Sequence, residues 1–146
     1  MKLVCYARKN DEVPFLEYMA KYELLDSDSD KERERKAKHI LHIKDVLIYL
    51  YQHKGSYNLP MTEQYKGREI GILKIKEGKT LVRIGFYTIL EEKIILLGVF
   101  DKPNKYGNKA KGKGVNKMIQ EALDTFEVYK DDHMKNLKSV PIPFDL

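Results

Sequence analysis

The chain has 146 residues, 42% hydrophobic and 34% charged, which fits one domain with a single packed core and a well-solvated surface. A single cysteine, Cys5, excludes an internal disulfide framework, and no apolar run approaches the length of a membrane span. The net charge of +5 is unevenly spread: residues 66–117 carry thirteen Lys/Arg against five Asp/Glu, whereas residues 1–65 balance at eleven each.

Met1-Lys2 leads straight into a strand-like LVCYA rather than a signal peptide, so a soluble cytoplasmic protein without membrane association is expected. Residues 2–8 suit a first short strand. Pro14, tolerated in a first turn, and the spacing of Phe15, Leu16, Met19, Ala20 and Leu24 predict a helix over about 13–25. DSDSD at 26–30 breaks it, because Ser and Asp side chains compete for backbone hydrogen bonds. A second helix is predicted over about 31–53, its first half solvated and its second half carrying Ile40, Leu41, Ile43, Leu47, Leu50 and Tyr51. Lys54-Gly55 ends it.

Three strand candidates follow the loop SYNLPM: residues 69–76, 80–90 and 93–100, all rich in β-branched or aromatic residues. Glu77-Gly78-Lys79 joins the first two as a hairpin and Glu91-Glu92 joins the last two. KPNKYGNKAKGKG at 102–114 reads as a flexible basic loop. Val115, Met118, Ile119, Ala122, Leu123 and Phe126 predict a closing helix over about 114–130, and the tail SVPIPFDL reads as extended. The expected class is α+β in one domain over 1–146: a helical hairpin (13–53), a sheet core (69–100) and a C-terminal helix. Two helices cover one sheet face and leave the other available for function.

Strand alternation then sorts the cations. Lys74 and Lys76 share a phase, as do Arg83 and Tyr87 with Gly85 between them, and as do Gly98, Phe100 and Lys102. Gly85 is expected to leave room for a ligand to approach the sheet. If the registers align, Lys74, Lys76, Arg83, Tyr87 and Lys102 converge, and residues 102–117 add lysines without an acid. Arginine presents a planar fork to phosphate oxygens, a lysine among cations can serve as base, and tyrosine can stack on a base or assist a leaving oxygen. That set suits attack of a ribose 2′-hydroxyl on its own phosphodiester. The same residues also suit a sheet that binds nucleic acid without cutting it, or a polar sheet face with scattered charges.

Residues 50–76, LYQHKGSYNLPMTEQYKGREIGILKIK, resemble HigB-type toxins of the RelE/ParE superfamily, including the phage-derived branch. Leu50, His53, Gly55, Leu59, Pro60 and Gly67 match the pattern, and Ile72-Leu73-Lys74 stands where Glu-Leu-Arg is common. Arg83, Phe86 and Tyr87 resemble the family's strand arginine followed by aromatics, and LGVFDKPNK resembles its strand ending in Phe and lysine. The likeness runs over residues 38–128. Lys74 replaces an arginine, and Asp101 and Pro103 interrupt the paired lysines.

The resemblance implies a RelE/ParE-like fold, an antiparallel-dominated sheet on an N-terminal helical hairpin with a C-terminal helix. It implies a type II toxin that cuts translated mRNA in the ribosomal A site without metal or small-molecule cofactor, and a cognate antitoxin partner. The expected catalytic residues are Arg83, Lys76, Tyr87 and Lys102. The expected RNA contacts are Lys74, Lys79, Phe100, Lys105, Lys109, Lys111 and Lys113. A degenerate binding module and a gyrase-directed toxin are the alternatives, because fold does not settle target.

His39 and His42 sit three apart, with His53 further on, but no carboxylate or cysteine completes a metal set. Cys5 reads as a small buried hydrophobe. The glycines of GNKAKGKG lack the context of a phosphate loop, and DSDSDKERERK lacks the glycine and terminal glutamate of a calcium loop.

Overall fold

The computed structural model describes residues 1–65, 67–103 and 109–146, and of residues 102, 103 and 109–116 it describes the backbone alone. Among the described residues there are six strands and three helices. They are β1 (Lys2–Tyr6), α1 (Pro14–Ala20), α2 (Asp30–Gln52), β2 (Thr62–Tyr65), β3 (Ile70–Glu77), β4 (Thr80–Ile89), β5 (Lys93–Pro103), α3 (Lys109–Asn136) and β6 (Ser139–Pro141). The strands form one sheet in the order β2-β3-β4-β5-β1-β6. Every neighbouring pair is antiparallel except β1 with β5. Among the described residues no helix is long and apolar enough to cross a membrane.

Helix α2 starts where its sequence caps it: the Ser29 hydroxyl accepts from the Glu32 amide at 3.1 Å, the first half of a Ser-x-x-Glu box. Gly55 supplies the positive φ of +70° that closes the other end, and its amide donates to the Leu50 carbonyl at 2.9 Å. Helix α1 is shorter than the predicted 13–25. Residues 21–23 wind into a tighter turn with i→i+3 bonds, and the Glu23 carbonyl is taken by Lys36 Nζ at 3.0 Å.

The two sheet faces carry separate cores. Leu73, Ile75, Val82, Ile84, Phe86, Ile94 and Leu96 pack against Phe15, Tyr18, Ile43, Val46, Leu47 and Leu50 of α1 and α2. Ile70, Ile72, Tyr87, Ile95 and Leu97 pack against Leu123 and Phe126 of α3. The second core corrects the expectation of an open face. The run Ile94–Leu97 is buried on both sides, as a strand between two helical layers must be. Helix α3 also begins at Lys109, inside the expected loop, and runs on to Asn136. Strands β2 and β6 extend the sheet beyond the expected three-stranded meander and first strand.

Candidate nucleic-acid interface

Register brings the sequence-selected cations into one neighbourhood. Lys74 lies directly opposite Arg83 on β4, and Arg83 lies opposite Phe100 on β5. Two residues further, Lys76 pairs with Leu81, which pairs with the backbone of Lys102. Tyr87 belongs to the core under α3, and alternation places Arg83, Gly85, Lys74 and Lys76 in that same phase. So Lys74, Lys76, Arg83 and Tyr87 do share a face of the sheet.

The edge strand β2 completes the group. Glu63 Oε1 pairs with Lys74 Nζ at 2.6 Å, and Tyr65 donates its hydroxyl to Glu63 Oε2 at 2.8 Å. The Lys74 ammonium, with desolvation opposing it, holds the Glu63 carboxyl below the usual carboxylate range. Burial, reinforced by the bond to Glu63, pushes the Tyr65 phenol up to about 12. Arg83 is half-buried with its guanidinium carbon 5.8 Å from the Phe100 ring centroid. Its Nη1 is enclosed and finds no hydrogen-bond partner among the described residues. A buried charged donor without an acceptor is costly, so this nitrogen carries unspent hydrogen-bonding capacity. Lys76 and Lys79 are exposed, on β3 and in the β3–β4 turn.

Two expectations about this face are corrected. Gly85 does not admit a ligand: a Cβ there would lie 2.5 Å from Phe126 Cδ2, so the missing side chain admits the Phe126 ring. Tyr87 is only 4% exposed, its hydroxyl bonded to His133 Nδ1 under α3, so it does not present itself to RNA. The apolar crevice where Arg83 meets Ile119, Leu123 and Phe126 holds about 10 Å³, at the limit for one water. The accessible part of the cationic face is therefore its end toward Lys76 and the β3–β4 turn. Lys105 lies outside the described residues. Lys109, Lys111 and Lys113 fall in the first turns of α3, and their side chains, like that of Lys102, lie outside the described residues.

Other sequence candidates settle into structural places. His39 is 3% exposed and bonds Tyr18 through Nε2 at 2.9 Å, while His42 is exposed and the His53 ring lies tilted against Tyr49, centroids 4.1 Å apart. Cys5 is buried, and desolvation pushes its thiol up to about 12, an inert state. The charged segment at 26–36 is not wholly solvated: Asp28 accepts from Lys36 Nζ at 2.7 Å and from the Leu25 amide at 2.9 Å. A cavity of about 610 Å³ lies at the opposite edge of the sheet between β1 and β6 and gathers no arginine or histidine. Its chemistry is thinner than that of the Lys74–Arg83 cluster.

Sequence reasoning passed over Glu63, Tyr65 and His133. Glu63 and Tyr65 stood in TEQY as alternate residues, a signal of a shared face once that segment is read as a strand. No family model matches this sequence, and a search of curated proteins finds no match.

Proposed function

We propose that this protein is a type II toxin of the RelE/ParE kind that binds single-stranded RNA at the Lys74–Arg83 face and cleaves translated mRNA in the ribosomal A site. The observation that carries the reading is the cross-strand pair of Lys74 and Arg83, the half-buried guanidinium lying beside the Phe100 ring. The order strand, two helices, antiparallel strands, helix also agrees with what the resemblance implies. Arg83 would neutralise charge on the phosphorane formed when the 2′-hydroxyl attacks its neighbouring phosphate. Lys74 and Lys76 would hold adjacent phosphates; the exposed Lys76, in its neutral form, is the candidate acceptor of the hydroxyl proton and, as the ammonium, would return it to the leaving 5′-oxygen as the P–O5′ bond breaks and a 2′,3′-cyclic phosphate remains. The buried Tyr87 is assigned no contact with RNA.

Inducible expression followed by 5′-end mapping of messages tests the proposal. New 5′ ends within translated codons, lost in Arg83→Ala with the fold retained by circular dichroism, are expected. Intact messages under growth arrest would overturn the nuclease assignment, and DNA-damage signalling in their place would indicate gyrase. One observation favours a second reading, a binding module that does not cut: Tyr87, the expected assistant to the leaving oxygen, is sealed beneath α3. Salt-dependent RNA binding without cleavage on translating ribosomes selects it.

A further inference from the structure

Glu63 is the sole carboxylate the described residues bring to the Lys74 ammonium, and both its oxygens are engaged: Oε1 by Lys74 at 2.6 Å, Oε2 by the Tyr65 hydroxyl at 2.8 Å. A phosphodiester offers the same pair of anionic acceptors on its two non-bridging oxygens. An ammonium and a phenol hydroxyl are the donors such oxygens take. The pair is not locked away. Lys74 keeps 31% of its side chain exposed and Glu63 43%, and partly exposed ion pairs contribute little net stability. Exchanging the carboxylate for a phosphate is therefore thermodynamically accessible.

We infer that Lys74 and Tyr65 form a phosphate subsite for RNA beside Arg83, and that Glu63 occupies it as an internal competitor in the free protein. The inference rests on the reading of this face as an RNA interface. An incoming strand must release Glu63 before it gains Lys74, so wild-type protein engages one phosphate fewer than its cations permit. Glu63 thereby favours polyphosphate strands, which hold several cations at once, over single small anions.

The test is binding of a fluorescein-labelled oligouridylate across a range of salt. Each phosphate neutralised on a single strand steepens the log–log salt slope by about 0.7. Glu63→Gln keeps the side chain's shape and removes its charge. It should steepen the slope by about 0.7 and bind about fivefold tighter at 0.1 M salt, the gain fading toward 1 M. Glu63→Gln combined with Lys74→Gln should show no gain over Lys74→Gln alone. Unchanged or weaker binding by Glu63→Gln, while wild type binds, would overturn the inference and leave the interface standing. A gain that survives removal of Lys74 would overturn it too. If neither wild type nor Glu63→Gln binds at the lowest salt, the interface itself fails.

Discussion

Replacing Gly85 with alanine puts a methyl carbon 2.5 Å from Phe126 Cδ2 and 2.7 Å from two further ring atoms. Its cross-strand partner is Gly98, where a Cβ would stand 3.2 Å from the same ring. Two glycines side by side thus form a notch, and Phe126, 3% exposed, fills it. The ring cannot retreat outward without opening the α3 layer, so the added methyl is overpacking, at a cost of about 1–3 kcal/mol. For a chain of this length that lowers the melting temperature by roughly 3–9 °C. Phe126→Ala should itself cost about 3–5 kcal/mol. In that background the methyl meets open space. Gly85→Ala then recovers the backbone preference that glycine lacks in a strand, about 0.5–1 kcal/mol. A double-mutant cycle by urea denaturation should therefore show Gly85→Ala changing from destabilising to neutral or stabilising. An equal cost in both backgrounds would refute the reasoning, because the penalty would then belong to the strand rather than to the packing of α3.

Other outcomes follow from the same geometry. His39 and His133 are buried, and that burial holds both imidazoles below their ordinary value. The unfolded chain therefore takes up protons first, so stability falls as pH drops below about 6.5 toward the folded values, by up to about 1.4 kcal/mol per unit for each ring. Urea midpoints between pH 7.5 and 5.5 should show this slope, and His133→Phe should reduce it. Lys36→Met should lower the urea midpoint, because Lys36 is the main cause holding the Asp28 carboxyl below the usual range across a pair only 8% and 5% exposed. The contribution of Asp28 is present above about pH 4 and lost as pH falls through its lowered folded value. Arg68 joins the β2–β3 connection to α3 through Asp124 and Glu127, both at 2.7 Å. Because these groups are partly exposed, Arg68→Ala should cost only about 0.5–1 kcal/mol, and the loss should shrink in 1 M salt.

What the sequence made legible is whatever is written locally. β-branched runs marked β3, β4 and β5, Gly78, whose φ is +58°, marked the tight turn between the first two, and DSDSD marked the break before α2. Alternation put Lys74 with Lys76 and Arg83 with Tyr87, and the β3–β4 register, with Lys74 opposite Arg83, put both pairs on one face. What covers that face is a long-range matter. The continuous run Ile94–Leu97 and the isoleucines at 70 and 72, in phase with Lys74 and Lys76, did signal burial on both sides, but the cations in the same phase spoke for water. The structure resolves the conflict along the strand: the apolar end goes under α3 and the charged end toward solvent. Strand β2 was illegible because TEQY is polar and owes its conformation to pairing with β3. The Thr62 hydroxyl, which accepts from the Leu59 amide and donates to the Tyr57 carbonyl at 2.8 Å each, holds the loop before it. The Glu63–Lys74 pair depends on that pairing and could not be read ahead of it.

The most direct test is where RNA touches the folded protein. Titration of isotope-labelled protein with a single-stranded oligoribonucleotide, followed through backbone amides and the arginine Nε–H signals, locates the contact. Shifts centred on Arg83, Lys74, Lys76 and the β3–β4 turn are predicted. Shifts confined to the β1–β6 edge or the Arg8–Asn10 loop, with Arg83 unmoved, would contradict the account.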